Sequence, residues 1–427
     1  MSIKDNFPSV GPSLSLNFAR SKTLDPRITF ARPSTSGDAT YMNENGLIVT
    51  AAADEPRFDH KYENGVVKSL GLLVEEQRTN LFIRGSTVGD VGTQPAGLNY
   101  ATTPTGQSAV VSSDFDVDGN DKSIKHTRGS SGDNNVGYYS VAGLTTGVTH
   151  SFSAYVYIPS SQQSSITSIR FGPDNNYSNL EYGYADTNIV DRWQRVVGKY
   201  DPSIQTSAVI CRATASGGTY FYTDAWQLEV GEFPTSYIPT SGSTKTRSPD
   251  NVSMTGTNFS DWFNSSEGTL YASASILGKN IHTTGVEYPN GICKISDTGS
   301  SPSYSRVLYF GGNVDPDRVS FGNRDSSSSI TVIDNTFGDI QSNQYYKVCG
   351  AYINNDEQAM SLNGRYIGSN GTNVNPPTPN QLLIGTGYNG AIANAPDGDE
   401  MYLNGHISQL TYYPKRLTNT QLQNLTK

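Results

Sequence analysis

Long apolar runs, a signal peptide and basic clusters are all missing from this sequence. No stretch of about 18 consecutive apolar residues occurs, so a membrane span is not expected. The N-terminus, MSIKDNFPSVGPSLSL, lacks the apolar centre of a secretory signal. We therefore expect the chain to be made in a cytoplasm without a signal peptide and without membrane insertion.

Cysteine is also scarce. Cys211, Cys293 and Cys349 are far apart in the sequence, and no CxxC or HxxxH spacing points to a zinc site. We expect these three side chains to be buried thiols.

Positive charge is not concentrated in any part of the chain. Residues 1–82 have 9 basic against 10 acidic residues, residues 83–249 have 11 against 14, and residues 250–427 have 10 against 15. A protein that neutralises phosphates needs clustered lysine and arginine. Nucleic acid is therefore not an expected partner.

The composition favours strands and turns over helices. The chain has 42 glycines and 26 tyrosines but only 3 tryptophans, which suits many short strands joined by tight turns. We predict an all-β protein. Its 427 residues exceed one ordinary domain. The pattern predicts a small N-terminal segment over 1–82, a β-sandwich over 83–240 and a second β-sandwich over 250–427.

The first of these modules has few large apolar residues for its length. It ends in SLGLLVEEQRTNL, where an apolar run meets Glu75, Glu76 and Arg78. A segment of this size cannot bury enough apolar surface by itself. We expect it to pack against a partner chain.

Period-two alternation predicts strands in the middle module. In SFSAYVYIP, Tyr155 and Tyr157 are predicted to face away from the core, and in WQLEV Glu229 does the same. Glu232 follows in a turn. Nothing places these two carboxyls across one glycosidic bond, so both are predicted to be solvated. After Glu232, Pro234 and Pro239 are predicted to hold the chain extended, and GSTKTRSPD at 242–250 has the composition of a linker.

The last module shows the same alternation in LYASASIL, and it contains a hairpin signal. The Asn-Gly pair at 363–364 suits a type I′ turn, which needs positive φ at both positions. The closing RLTNTQLQNLTK predicts a short helix. Thr418 and Gln421 can form a capping box there, and Leu417 and Leu422 can form a hydrophobic staple.

Acidic residues recur in SSDFDVDGNDKS. Asp114, Asp116, Asp118 and Asp121 surround a glycine, and carboxylates in this pattern can wrap a structural calcium ion. Lys125 stands where an EF-hand loop needs a glutamate, which excludes an EF-hand. A solvated acidic turn is the other interpretation, and no cofactor is required.

Tyrosines beside amide and carboxylate side chains are candidates for glycan contact, because sugar recognition combines flat rings with hydrogen-bonding groups. The candidates are Tyr138, Tyr139, Tyr155, Tyr157, Tyr177, Tyr182 and Tyr184. Packing between protomers would explain the same rings. A further group of polar and aromatic residues has two interpretations, a turn-rich loop, which is favoured, and a calcium or sugar site of the kind that lectin-like sandwiches place at such loops: Tyr388, Asp397, Asp399, Glu400, Tyr402, Asn404 and His406.

Familiar catalytic motifs are absent from the sequence. It contains no GxSxG elbow, no HExxH and no phosphate-binding P-loop. We expect a binding protein and not an enzyme.

Several stretches resemble one family of virion proteins. They are LNFARSKTLDPRITFARPSTSGDATYMNENGLI, EPRFDH, SLGLLVEEQRTNL, QLEVGEFPTSYIPTSG and LNGHISQLTYYPKRLTNTQLQNLT, and they are similar to tailed-bacteriophage head spike or tail fibre proteins. The resemblance covers both ends and the central seam and is weakest over residues 84–226. It implies a virion-attachment segment, a jelly roll similar to carbohydrate-binding modules, and a concanavalin A-like or laminin-G-like sandwich.

The function predicted from these observations is that of a structural protein of a virion, a fibre or spike on head or tail that binds host-surface glycans. Residues 1–82 would contact other virion proteins, and the resemblance implies a homo-oligomer, with a trimer favoured. Many copies on one particle would compensate for weak individual sites. Two alternatives stay open: a capsid-decoration or fibre-adaptor protein without a ligand, and a polysaccharide depolymerase.

Overall fold

The structure of the chain is a computed structural model that describes residues 8–33, 37–63, 65–100, 106–281, 287–297, 305–311, 318–324, 330–334, 339–371, 379–386 and 401–427. Strands contain 51% of the residues and helices contain 6%, so the predicted all-β class is confirmed. Among these residues, none of the helices has the length and apolar character needed to cross a membrane.

The first nineteen strands, in chain order, are β1 (Leu14–Leu16), β2 (Thr29–Ala31), β3 (Ala39–Met42), β4 (Ile48–Ala51), β5 (Arg57–Glu63), β6 (Val66–Val74), β7 (Arg78–Asn80), β8 (Leu98–Asn99), β9 (Ser108–Ser112), β10 (Ser123–Thr127), β11 (Gly132–Ala142), β12 (His150–Tyr157), β13 (Ile166–Pro173), β14 (Ser178–Glu181), β15 (Gly183–Tyr184), β16 (Trp193–Asp201), β17 (Thr206–Ala215), β18 (Tyr220–Val230) and β19 (Lys245–Arg247).

The later strands are β20 (Asn251–Thr255), β21 (Glu267–Ile276), β22 (Asn280–Ile281), β23 (Glu287–Tyr288), β24 (Asn290–Ser296), β25 (Ser305–Phe310), β26 (Val319–Arg324), β27 (Ile330–Asp334), β28 (Tyr346–Ile353), β29 (Gln358–Leu362), β30 (Arg365–Asn370), β31 (Gln381–Ile384) and β32 (Gly405–Tyr413). The helices are α1 (Phe18–Ser21), α2 (Thr257–Ser260) and α3 (Asn419–Leu425), with a 3₁₀ helix at Ser160–Ser165.

The chain forms two compact units. Unit 1 consists of Met1–Pro33, Asp54–Glu76 and Ser248–Lys427, and unit 2 consists of Ser34–Ala53 and Gln77–Arg247. The chain therefore passes from one unit to the other four times.

Unit 1 is a sandwich of two antiparallel sheets. One sheet has the strand order β30-β29-β28-β21-β32-β6-β5, with β1 also paired to β32, and the other has the order β2-β20-β31-β24-β25-β26-β27. Alternate residues from both sheets share one apolar core, in which Leu270 and Val348 of the first sheet join Ile292 and Leu308 of the second.

The division into two units does not follow the module boundary predicted at residue 82, because residues 1–82 contribute to both units. Strands β1, β2, β5 and β6 belong to the sheets of unit 1, whereas β3, β4 and β7 belong to unit 2. The apolar side chains of Leu14, Phe18, Phe58 and Leu72 lie in the core of unit 1. The first module therefore buries these side chains against other parts of its own chain within unit 1.

Buried charges join the three segments of unit 1. Arg57 forms ion pairs with Glu75 at 2.7 Å and with Asp250 at 2.5 Å, and Arg32 pairs with Asp250 at 3.0 Å. All four side chains are 0% exposed. Burial alone would lower the pKa of Arg57, but the charges of Asp250 and Glu75 raise it above its ordinary value. Arg32 and Glu75 are close in sequence to points where the chain leaves unit 1, and Arg57 and Asp250 are close to points where it re-enters unit 1.

Unit 2 is a second sandwich. Its larger sheet has the order β14-β16-β12-β18-β10-β9, its smaller sheet has the order β15-β13-β17-β11-β8, and the ribbons β3-β4 and β7-β19 complete it. The core between the sheets contains Phe152, Val156, Trp226 and Leu228, as the alternation predicted.

The outer side of the six-stranded sheet is covered within unit 2. Tyr155 packs there in a small apolar cluster with Ile48, Val117, Ala225 and Tyr237. Ile48 belongs to the β3-β4 ribbon, and Tyr237 belongs to the proline-containing stretch between β18 and β19. That stretch therefore folds back over the sheet.

This cover corrects the prediction for Glu229, which is 0% exposed. Its carboxylate accepts hydrogen bonds from the backbone N–H and the hydroxyl of Thr235, both at 2.7 Å. Burial raises the pKa of Glu229, although the charges of Arg78 and Arg247 oppose the shift. Glu232 is only partly buried and accepts from Lys199 at 2.9 Å.

Three local predictions are confirmed. Helix α3 has the capping box formed by Thr418 and Gln421. The Asn-Gly pair at 363–364 joins β29 to β30, with φ of 46° and 77°. The three cysteines are free and buried.

The charge network gives a test of unit 1. Replacing Arg57 by alanine leaves the carboxylates of Asp250 and Glu75 without their shared cation, so we expect the free energy of unfolding to fall by about 3–5 kcal/mol. Lys68→Ala is the control, because Lys68 and Glu63 form a pair with 51% and 38% exposed side chains; we expect almost no loss of stability, since solvent screens such a pair. Urea denaturation measures both, and equal small losses would contradict a stabilising role for the network.

Candidate functional site

The five-stranded sheet of unit 2 has one side in the core and the other outside it. Ile169, Phe171, Cys211 and Ala213 belong to the core. Because side chains alternate along a strand, the residues between them lie on the opposite side. The name "outer face" is used below for that side, formed by Asn99, Asp133, Asn135, Tyr138, Arg170, Gly172, Tyr182, Tyr184, Ile210 and Arg212.

A polar row crosses the outer face. The strand register places Tyr184 opposite Arg170, Arg170 opposite Arg212, and Arg212 opposite Asn135. The guanidinium of Arg170 also forms an ion pair with Asp133 at 2.9 Å. The row therefore combines a ring, two cations and an amide.

An apolar row lies beside it. Gly172 is opposite Ile210, Ile210 is opposite Tyr138, and Tyr138 is opposite Asn99. The ring of Tyr182 covers Gly172 so closely that a Cβ on the glycine would lie 2.2 Å from the ring. The absence of a side chain at position 172 thus allows the tyrosine to lie flat against the strand.

A groove of about 630 Å³ continues the outer face along β11 and β17. Asn135, Tyr138, Ser140 and Asp174 are among the residues that line it. The carboxylate of Asp174 accepts a hydrogen bond from the hydroxyl of Ser207 at 3.0 Å. Rings next to amide, hydroxyl and carboxylate groups are the mixture that sugar sites use.

A second candidate site in unit 2 is an acidic cluster formed by Asp116, Asp118 and Asp224. One carboxylate oxygen from each residue lies within 4.8 Å of the others. Asp116 and Asp118 belong to the loop between β9 and β10, and Asp224 belongs to β18. Asp116 Oδ1 accepts hydrogen bonds from the backbone N–H groups of Asp118 and Gly119, both at 3.0 Å.

Strand β18 is irregular beside Asp224. Its pairing with β12 shifts between Ser153 and Tyr155, and Ala225 has a φ of 49°. The left-handed conformation costs an alanine about 1–2 kcal/mol. Because of this irregularity, Ala225 lies in the apolar cluster around Tyr155 on the outer side of the sheet, and Trp226 lies in the core between the sheets.

Two of the three carboxylates, those of Asp118 and Asp224, are in an unfavourable environment for negative charge. Burial, with a smaller contribution from the charge of Asp116, raises the pKa of Asp118 to about 6, although a hydrogen bond with Ser86 lowers it. Burial and the charge of Asp118 raise the pKa of Asp224 well above its usual value. Asp224 Oδ1 accepts a hydrogen bond from the hydroxyl of Thr87 at 2.9 Å, but the buried Oδ2 has no hydrogen-bond partner among the described residues. An oxygen-only set of this kind fits a hard divalent cation.

The predicted tyrosines are divided among three places. Tyr138, Tyr182 and Tyr184 share the outer face, where Tyr182 is 38% and Tyr184 59% exposed. Tyr139 and Tyr177 lie in the core of unit 2. Tyr155 and Tyr157 are on the outer side of the other sheet, where Tyr155 is buried and Phe115 stacks on Tyr157 with ring centres 4.0 Å apart.

The predicted acidic residues are also divided. Asp116 and Asp118 meet in the cluster, whereas Asp114 accepts a hydrogen bond from the hydroxyl of Tyr222 at 2.7 Å. Asp121 is exposed, with a φ of 59°. Sequence reasoning missed Asp224, although an acid within the apolar strand FYTDAWQLEV could have indicated it.

Two residues of the second predicted loop group have structural roles in unit 1. Asn404 is buried and donates a hydrogen bond to Asn280 at 2.7 Å. His406 contacts Asp59 at 2.8 Å. Tyr388, Asp397, Asp399 and Glu400 lie outside the described residues.

No protein-family model matches this sequence, and no curated protein is significantly similar to it. Partial likenesses to solved structures include the heptameric SAP-like pentraxin from Limulus polyphemus, with 17% identity, 38% of this chain and 70% of that chain covered, and a TM-score of 0.29. The CBM40 of Ruminococcus gnavus IT-sialidase has 13% identity, 38% and 84% coverage and a TM-score of 0.30. The receptor binding domain of botulinum neurotoxin C/D mosaic serotype has 11% identity, 41% and 39% coverage and a TM-score of 0.29. Likenesses this low assign no family to the chain.

The raised pKa of Asp118 predicts a pH dependence in the absence of divalent cations. The native carboxyl keeps its proton up to about pH 6, whereas the unfolded carboxyl loses it near pH 4, so this residue makes unfolding easier as pH rises from about 4 to about 6. Asp118→Asn should remove that contribution, on the order of 2 kcal/mol at pH 7.

The measurement is urea denaturation in EDTA from pH 4 to pH 7 on both proteins. His126, whose pKa burial lowers to about 4, contributes the opposite slope in both and cancels in the difference. Parallel pH profiles for the two proteins would contradict the account of Asp118.

Proposed function

We propose that unit 2 binds carbohydrate on the outer face of its five-stranded sheet. The observation that carries the proposal is the row of exposed rings and polar groups that the strand register aligns beside the groove. The rings of Tyr182 and Tyr184 meet edge to face, with centres 6.4 Å apart, and both are held at one edge of the sheet. Rigid aromatic rings give contact area to a sugar at a small entropic cost.

The direct test is a glycan array with the full-length chain, followed by calorimetry with the glycans that bind. Replacing Tyr182 and Tyr184 by alanine, singly, should weaken binding roughly three- to tenfold each, because each loses one ring contact. Tyr62→Ala is the control, because Tyr62 is 46% exposed and belongs to unit 1, whereas the outer face belongs to unit 2. An array without any signal, or full binding by the Tyr182→Ala, Tyr184→Ala double variant, would contradict the proposal.

At the level of the whole protein, we propose a non-enzymatic spike or fibre of a tailed-phage virion. The support is the resemblance of the stretches at both ends and at the seam of the chain to that family. Residues 1–82 would then contact other virion proteins, as part of a homo-oligomer, and binding to host-surface glycans would use unit 2.

Two other functions predict different results. A decoration or adaptor protein without a ligand gives a silent array at high protein concentration. A polysaccharide depolymerase releases reducing sugar from host capsule or lipopolysaccharide. A reducing-sugar assay with the purified chain would detect that release.

We also propose that Asp116, Asp118 and Asp224 hold one divalent cation, with calcium favoured because all three ligands are carboxylates. The support is the buried Oδ2 of Asp224, which has no hydrogen-bond partner in the described part of the chain, together with the closeness of the other two carboxylates. Such an ion would offset the repulsion among them and fix the loop between β9 and β10 on β18.

Calcium should therefore raise the melting temperature of the purified chain at pH 7 relative to EDTA. A concentration of 100 times the dissociation constant adds about 2.7 kcal/mol. Asp224→Asn should abolish the calcium effect, and Asp121→Asn, which changes an exposed acid outside the cluster, should leave it intact. Equal responses of the two variants to calcium would contradict this ligand set.

A further inference from the structure

Two arginines lie directly opposite each other on the outer face. Arg170 of β13 pairs in register with Arg212 of β17, and the neighbours of both along their strands are in the core, so the two side chains emerge on the same side. Like charges at directly opposite positions destabilise a sheet. A pair that opposes folding in this way needs compensation.

Compensation within the protein reaches only one of the two. Asp133 forms an ion pair with Arg170 at 2.9 Å. Tyr182 adds a cation–π contact, with the guanidinium carbon of Arg170 5.7 Å from the ring centre. Among the residues that the structure describes, the guanidinium of Arg212 has no hydrogen bond or ion pair, and Arg212 is partly exposed.

The rows position Arg212 for a ligand. Arg212 lies between Asn135 on one neighbouring strand and Arg170 on the other. The apolar row with Ile210 and Tyr138 is parallel to this row, two residues away along β17. A sugar ring lying on the apolar row would therefore bring its substituents to the polar row. A planar guanidinium can bind a carboxylate or phosphate through two parallel hydrogen bonds.

The charge balance at this face differs from that of the molecule. The chain as a whole has a net charge of −9. The polar row and its ion-pair partner contain two arginines and one aspartate, so the face has an excess of one positive charge where the rest of the protein is acidic.

We propose that the outer face selects glycans with an anionic group on the sugar, a carboxylate or a phosphate, which Arg212 and Arg170 bind together while the rings of Tyr182 and Tyr184 contact the sugar. This inference rests on the proposed function, because it names the class of carbohydrate for the same site. Binding of the anion would neutralise the arginine pair that the protein itself leaves half compensated.

The test is isothermal titration calorimetry on the full-length chain with pairs of oligosaccharides of equal length. Oligogalacturonate is compared with its neutral galactose counterpart, and a mannose 6-phosphate oligosaccharide with neutral mannose. Inorganic phosphate alone is the control for simple anion binding. We expect roughly tenfold tighter binding of at least one anionic member, a preference that weakens with added salt.

The variants separate recognition from structure. Arg212→Gln should remove the preference for the anionic member, so that the anionic and neutral members bind this variant with similar affinity. Asp133→Asn should strengthen binding of the anionic member, because it removes the carboxylate that competes for Arg170. Arg20→Gln, at an exposed arginine of unit 1, should change neither. Melting temperatures confirm that each variant is folded.

The outcomes distinguish the two proposals. Equal binding of the anionic and neutral members, unchanged in Arg212→Gln, would overturn the anionic preference and leave carbohydrate binding intact. Failure of every oligosaccharide to bind would overturn both. Binding of inorganic phosphate as tight as that of the phosphorylated sugar would show an anion site without a role for the sugar rings and would also overturn the inference.

Discussion

The register of the five-stranded sheet in unit 2 determines which side chains reach the outside. Because side chains alternate along each strand, a shift of one residue would expose Phe171 and Cys211 and bury Arg170 and Arg212. Burying the guanidinium groups of Arg170 and Arg212 in the apolar core would cost free energy, whereas burying apolar side chains there is favourable. The core that holds Phe171 in place therefore also holds the arginines outside, and the candidate ligand face is a consequence of how the sandwich folds.

The two sheets of unit 2 have different outer sides. The six-stranded sheet is covered by the β3-β4 ribbon and by the stretch that contains Tyr237, so Tyr155 and Glu229 are buried beneath them. The acidic cluster belongs to this covered side, where three close carboxylates need a counter-charge. The five-stranded sheet keeps Tyr182 and Tyr184 exposed. One side thus suits a structural ion and the other a ligand.

Local patterns in the sequence predicted the strands, the Asn-Gly hairpin and the capping box of α3, because each depends on residues a few positions apart. The sequence could not predict which distant strands pair. Asp224 is more than 100 residues from Asp116 in the sequence, and only the pairing within the six-stranded sheet brings the loop to β18. Arg170 and Arg212 are each ordinary in their own strand, and the register alone makes them a pair. The burial of Glu229 was missed for the same reason. The residues that cover it lie in the proline-containing stretch after β18, and the sequence does not show that this stretch folds back over the sheet.

Hydroxyl-radical footprinting tests the central claim most directly, because it reports the exposure of individual tyrosine rings. In the presence of a saturating anionic oligosaccharide, oxidation of Tyr182 and Tyr184 should fall severalfold, while oxidation of Tyr62, which is 46% exposed in unit 1, should not change. Unchanged oxidation of Tyr182 and Tyr184 by a glycan that calorimetry shows to be bound would place the ligand elsewhere and contradict the account.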